Sequence, residues 1–190
     1  MLEPPVFVTS RLIVRLLSQQ DVSSVLEYYK ENRAFLEPFE PVRPRNFYMK
    51  DFWAQQIEKS LIEFGYDRSL RLFIFNQEEP KKVIGTANFT QMVQGVSYSC
   101  SLGYSLAKKA QGNGYMSEAL QPGIQYLFEG LNLHRINANY MPHNRRSASV
   151  LKKLGFVIEG YARDYLLING KWEDHILTSL VNSDWKSDIR

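Results

Sequence analysis

The sequence has almost no cysteine: Cys100 stands alone among 190 residues. A single thiol can neither close an internal disulfide nor build a cysteine-only metal site, so a reducing compartment is expected. Nor are like charges gathered into blocks. The 23 basic and 20 acidic residues are interspersed, for a net charge of +3. This does not argue for a nucleic-acid surface, and no direct sequence-specific nucleic acid binding is expected. No apolar run approaches the ~20 residues of a membrane span, and the start, Met-Leu-Glu-Pro-Pro, lacks the basic-then-apolar pattern of a secretion signal. The expectation is a soluble cytoplasmic protein with no membrane partner. His134, His143 and His175 are too far apart for a metal-ligand pattern, so no metal is expected and each is read as structural. Repeats and low-complexity tracts are missing too. What the sequence has in quantity is apolar and aromatic side chains, 44% and 13% of its residues. That is material for one well-buried core, and a single domain over residues 1–190 is expected.

Periodicity divides the chain into strands and helices. Leu12, Val14 and Leu16 share a phase, so residues 6–16 read as one strand, with Arg11 and Arg15 on its other side. Ser18 and Asp21 form a capping-box spacing ahead of a helix over 21–32. Pro38, Pro41 and Pro44 make 35–44 an irregular loop, the kind of segment that lines sites. A helix over 48–64 follows, with Phe52, Trp53, Ile57 and Leu61 at helical spacing. Strands at 71–76, 82–92 and 97–106 predict an antiparallel meander. A helix running to about Phe128, capped at Gly130, separates these from a strand at 135–141. A crossover of that length predicts a parallel strand pair. A short helix over 144–154 closes at Gly155. Two last strands, 156–168 and 171–181, flank Asn169-Gly170, a type I′ hairpin signal. The polar tail after Asn182 is expected to be loose, Trp53 and Trp172 to be core, and Cys100 to be an inert buried thiol.

One stretch carries chemistry. Lys108-Lys109-Ala110-Gln111-Gly112-Asn113-Gly114-Tyr115 lies between a strand and a helix. Two glycines leave successive backbone N–H groups unobstructed at the positive end of that helix, a design for an anion and most plausibly a phosphate. A P-loop would need a Lys-Ser or Lys-Thr pair that is missing. A dinucleotide fingerprint would need Gly or Ala where Ser117 stands, and an acidic residue about 20 positions on.

The third pattern for such a loop is Gln or Arg, two residues, Gly, one residue, Gly or Ala, matched here by Lys109 to Gly114 with Lys109 in the first place. In this the chain resembles the GNAT acetyltransferases, whose element order it follows from first strand to last. Thr9-Ser10-Arg11-Leu12-Ile13-Val14-Arg15 and Asn144-Arg145-Arg146-Ser147 resemble the RimJ/RimL branch. So do Leu102-Gly103-Tyr104-Ser105, Ala138 to Asn144 and Asp164 to Ile168. The resemblance implies a mixed α/β (α+β) GNAT fold: a mostly antiparallel twisted sheet, a parallel pair around the acetyl-CoA loop, and helices on both faces.

It also implies the function: transfer of acetyl from acetyl-CoA to the N-terminal alanine of a small-subunit ribosomal protein, met free or on the ribosome or its assembly intermediates. Gln111, Gly112, Asn113 and Gly114 would hold the pyrophosphate. Leu102, Gly103 and Tyr104 would pair with the pantetheine arm. Gly103, inside a strand pattern, reads as a bulge or a close backbone approach. Asn144 and Ser147 share a helix face, with Ser147 as proton donor to the leaving thiolate; capping alone is the alternative reading of Asn144. Glu40 and Glu118 both stand as candidate general bases. Two other functions remain open at this level, acetylation of a small amine and a non-catalytic acyl-CoA-binding module in ribosome assembly.

Overall fold

Residues 3–187 are described by the computed structural model. Strands β1 (Val6–Val8) and β2 (Leu12–Arg15) lead into helices α1 (Val22–Glu31), α2 (Arg33–Leu36) and α3 (Lys50–Gly65). The meander β3 (Leu70–Asn76), β4 (Glu79–Val93) and β5 (Ser99–Leu106) follows, then α4 (Tyr115–Gln125). Strand β6 (Arg135–Tyr140), α5 (Arg145–Lys153), β7 (Val157–Ile168) and β8 (Lys171–Val181) complete the chain. All eight strands form one sheet in the order β1-β2-β3-β4-β5-β6-β8-β7, antiparallel except where β5 meets β6. No helix of the described residues is long and apolar enough to cross a membrane.

The two sides of the sheet bury separate clusters. Helices α1 and α3 cover one built on Val25, Tyr29, Phe47, Trp53, Ile57 and Phe75. Helix α4 and the end of α5 cover another built on Leu72, Phe89, Leu120, Leu127, Ile136 and Leu151. Large residues at helical or alternating spacing fill both, which is why periodicity found these elements. The Ser18–Asp21 box is present, with the Ser18 N–H donating to the Asp21 carboxylate at 2.7 Å. Asn169 and Gly170 both have positive φ, as a type I′ turn requires.

The single first strand is in fact a hairpin. Residues 9–11 turn, with the Thr9 N–H donating to the Leu12 carbonyl at 2.9 Å and Thr9 Oγ1 accepting from the Leu12 N–H. The proline-rich stretch is ordered in its first half, as α2 followed by a 3-10 turn over Glu37–Phe39. Pro38 is accommodated because proline is excluded from helix interiors but not from the first turn. Gly130 is no left-handed cap: α4 runs into a π turn, Tyr126–Gly130, and positive φ falls on Asn132 instead. Trp172 is 61% exposed rather than core. The tail is tied down as far as Lys186: Trp185 Nε1 donates to the Asn132 carbonyl at 2.9 Å, and the Lys186 carbonyl accepts from Asn132 Nδ2 at 3.0 Å. Residues 188–190 lie outside the described part.

Candidate active site

The glycine-rich turn is built by alternating backbone conformations. After β5 a 3-10 turn over Lys108–Ala110 ends at Gln111 in extended backbone, φ −71° and ψ 160°. Gly112 then has φ 81° and Gly114 φ 76°, and α4 starts at Tyr115. Both glycines are in the left-handed region that costs an L side chain ~1–2 kcal/mol. The two glycines stand immediately before α4, whose first-turn N–H groups have no partner within the helix and are available to an anion. Asn113 points its amide back, Nδ2 donating to the carbonyls of Ala110 and Gln111 at 3.3 and 3.2 Å. From below, the Lys108 N–H donates to Asn32 Oδ1 at 2.9 Å, tying the turn to α1.

Glu118, one turn into α4, is the most heavily engaged carboxylate near this cradle. Oε1 accepts from Thr9 Oγ1 (2.6 Å), Ser10 Oγ (3.0 Å) and the Arg11 N–H (3.0 Å), and Oε2 from Arg11 Nε (2.8 Å) and Nη2 (2.5 Å). Burial pushes this carboxyl up, but the Thr9, Arg11 and Ser10 hydrogen bonds outweigh it and bring it down to about 2. The Arg11 guanidinium also stacks over the Tyr115 ring at 4.5 Å. The β1–β2 turn is thus clamped to the start of α4.

Beside the cradle the sheet opens. β5 and β6 pair in parallel only at Ser99–Arg135, Cys100–Ile136 and Ser101–Asn137. Beyond that, β5 follows β4 to Leu106 while β6 follows β8 to Tyr140. Leu102, Gly103 and Tyr104 therefore border a seam instead of a neighbouring strand. Gly103 is not a bulge, since it pairs in regular register with Asn88, and an added Cβ there would meet nothing within 4 Å. Along β5 the side chains alternate. Leu102 and Tyr104 point toward the α4–α5 side, while Ser105 faces α1, where it hydrogen-bonds Tyr28 Oη at 2.9 Å and Thr86 Oγ1 at 3.0 Å.

Across the seam stands the start of α5. Asn144 Oδ1 accepts from the Ser147 N–H at 3.1 Å, so Asn144 does cap the helix. Ser147 Oγ lies 2.8 Å from Tyr104 Oη, which also donates to the Ser147 carbonyl at 3.2 Å. Burial pushes the Tyr104 phenol up to about 12, more than its hydrogen bond with Ser147 lowers it, so the hydroxyl pair is fully protonated at neutral pH. Cys100 below is buried and its thiol is pushed up to about 12, which leaves it unreactive at neutral pH.

Glu40 lies on the α1 side of the sheet, where its charge acts on Tyr28, whose hydroxyl bonds Ser105 Oγ of β5 at 2.9 Å. Its carboxylate is ion-paired with Arg43, with Nε donating at 3.1 Å, and its carbonyl accepts from the Asn169 N–H at the tip of the β7–β8 hairpin, at 2.9 Å. The Phe39 ring lies 6.0 Å from that of His143, next to Asn144. Hairpin tip, proline-rich loop and start of α5 converge there. Glu118 does not join them. Among the described residues, no three His, Cys, Asp or Glu side chains cluster as a metal would require.

The GNAT acetyltransferase domain model matches residues 11–157, most of the chain. The chain is a GNAT acetyltransferase. It is 46% identical to the [ribosomal protein uS5]-alanine N-acetyltransferase of Escherichia coli K12 over 177 residues, 93% of this chain and 91% of that protein. The crystal structure of the ribosomal-protein-S5-alanine acetyltransferase from Vibrio fischeri covers 96% of this chain and all of its own, at 38% identity and a TM-score of 0.92. Mycobacterium smegmatis RimJ in complex with CoA-disulfide superposes with a TM-score of 0.84 at 25% identity, covering 93% of this chain and 84% of its own. The protein is therefore an acetyl-CoA-dependent N-acetyltransferase with the GNAT fold.

Two features of this GNAT domain had no readable signal in the sequence. The Glu118 clamp joins residues 107 to 109 positions apart, and no spacing rule reaches that far. The Tyr104–Ser147 pair unites two residues that the sequence marked separately. The clamp makes a measurable prediction. Glu118→Gln should cost about 1–2 kcal/mol of stability at pH 7, less than the shift alone would give because Arg11 is 46% exposed and solvent screens the pair. A depressed carboxyl stabilises above its ordinary value of 4.5, and that stabilisation is lost as pH falls toward 2. Denaturant melts at pH 7 and pH 3 should thus show the gap between variant and wild type shrinking in acid, and a gap of equal size at both would mean the clamp is not electrostatic.

Proposed function

We propose that this enzyme acetylates the N-terminal alanine of a small-subunit ribosomal protein, in the cytoplasm, meeting its acceptor free or on the ribosome or an assembly intermediate. The reading is supported by the seam beside β5, with the Ser147–Tyr104 hydroxyl pair on its α5 side and Glu40 on the α1 side, next to the Tyr28 that bonds Ser105. The acceptor's identity is supported by the 46% identity to an enzyme named for uS5-alanine acetylation.

Backbone N–H groups of Gln111, Gly112, Asn113 and Gly114 would hold the pyrophosphate of acetyl-CoA. Lys109, in the family's Gln or Arg place, leaves that backbone cradle intact. The pantetheine arm would lie along Leu102 to Tyr104 and add itself to the sheet where β6 has turned away. A backbone N–H of the same strand would take the thioester oxygen as negative charge develops on it. The α-amino nitrogen attacks the thioester carbon, forming the amide C–N bond. As the C–S bond breaks, the Ser147 hydroxyl gives its proton to the departing thiolate and recovers one through Tyr104 and solvent. Asn144 fixes the turn from which Ser147 is presented.

Of the two carboxylates, Glu40 is the base and Glu118 the positioning residue. A carboxylate at about 2 with five donors is a poor proton acceptor. The demand on Glu40 is small: an α-amine near ~7.8 costs about 0.4 kcal/mol to deprotonate at pH 7.5, against roughly 4 for a lysine near ~10.4. Purified enzyme, acetyl-CoA and either an Ala-starting uS5 peptide or a small amine such as spermidine will test the reading. Release of free CoA should favour the peptide in kcat/KM by at least about 10²-fold. Turnover of spermidine with the peptide untouched would assign the enzyme to small amines, and no turnover with either would overturn the uS5-type N-terminus as the acceptor.

A further inference from the structure

A cavity of about 320 Å³ lies under the proline-rich loop, on the α1–α3 side of the sheet. Its walls include Tyr29, Phe47, Phe52, Trp53 and Phe73, and its rim is Pro41 to Pro44. We infer that this cavity is a second acceptor subsite, which takes an apolar or aromatic side chain at position 2, 3 or 4 of an acceptor whose first residue is the alanine. The inference rests on the function proposed above and adds to it the sequence feature that would select the acceptor.

Continuity with the seam argues for this occupant. Gly103, on the strand assigned to the pantetheine arm, pairs with Asn88, and Asn88 pairs with Arg71. Cross-strand partners share a face, so Gly103, Asn88 and Arg71 form a row on the α1–α3 side, and the last two line the cavity. Above Gly103 nothing stands within 4 Å of where a Cβ would be. Two strand spacings of ~4.8 Å separate the seam from the cavity floor, which two to three residues of extended chain cover at ~3.3 Å each. A polypeptide that passes over Gly103 would thus reach the aromatic walls by way of Asn88 within two to three residues.

The cavity is also built to hold its shape. Trp53 stacks on Tyr29 at 5.0 Å between centroids and donates Nε1–H to the Phe47 carbonyl at 2.9 Å. The Arg43 guanidinium lies 4.1 Å over Phe47 and 4.8 Å over Tyr29, while its nitrogens hold Glu40. One arginine thus joins the candidate base to the cavity wall. Rigid aromatic walls with a few polar groups at the floor are the usual make-up of a preformed pocket of this volume.

Ala-starting decapeptides with Phe or Ser placed in turn at positions 2, 3 and 4 will test this, read as the ratio of kcat/KM between the Phe and Ser members. One position should favour Phe by about tenfold, as burial of one large apolar side chain predicts. In Ser60→Trp, which fills the cavity from α3, the ratio should fall to within twofold of one. Because both peptides are compared in one preparation, partial unfolding cancels, and Ser60→Leu, a smaller filling, carries the same readout should the larger variant not turn over. A ratio below about two at every position in wild type, or one that survives both fillings, overturns the subsite while leaving peptide acetylation standing. Turnover of spermidine with every peptide inert overturns both.

Discussion

Replacing Ser147 with alanine should lower kcat on an Ala-starting peptide about 10²-fold while the dissociation constant for acetyl-CoA moves by less than about threefold. Positioned proton transfer contributes typically 10²–10⁴-fold, and a thiol with a pKa near ~8.5 leaves readily enough to set the effect at the low end. The substitution spares the fold of the site, because Asn144 caps α5 through the Ser147 backbone N–H and not its hydroxyl. Tyr104→Phe should cost less, about tenfold, since it removes the partner of the donor and not the donor. In the double variant kcat should fall no further than in Ser147→Ala alone, because both changes interrupt one relay. Rapid-quench turnover and CoA titration measure both quantities. A Ser147→Ala enzyme with wild-type kcat would remove the hydroxyl pair from the mechanism.

Gly114→Val should act on the opposite half of the reaction, raising the dissociation constant for CoA at least about 10²-fold and leaving kcat at saturation within about threefold. At φ 76° a β-branched residue is strained by ~1–2 kcal/mol or more, and relief moves the N–H groups that the cradle has aligned. Simple crowding is not the cause: a bare Cβ would meet nothing nearer than Arg11 Nη2 at 3.8 Å, so Gly114→Ala should be the milder change. The strain should also appear as a melting temperature lowered by about 2–8 °C. Calorimetric titration with CoA separates the two effects, and tight CoA binding by Gly114→Val would mean that the cradle is not the pyrophosphate site.

Where local chemistry dictates structure, the sequence was readable. Asn169-Gly170, the Ser18–Asp21 box and the Gly112–Gly114 turn each adopt the conformation that their residue types demand. Amphipathic spacing found α1, α3 and α4 because burial on one side of a sheet imposes it. The misreadings occur where distant contacts decide. Residues 9–11 have no turn residue stronger than Ser10, and the hairpin there is fixed by Glu118 from across the molecule. Trp172 is apolar in composition yet sits near the tip of the β7–β8 hairpin, where neither face of the sheet is covered and its neighbours Leu166, Leu167 and Lys171 are exposed as well. The two carboxylates were equivalent as letters. Only the donors gathered around Glu118, brought by a turn 107 residues earlier, tell them apart.

The brevity of the β5–β6 pairing, three residues long, sets a limit on what cofactor affinity can achieve. If the pantetheine arm fills that gap, acetyl-CoA and free CoA fill it equally well, since they share the arm. Binding energy gained there holds substrate, transition state and product alike and so lowers no barrier. The arm's contribution returns as a debt at the end of each cycle, when CoA must peel away from β5 before the next acetyl group can enter.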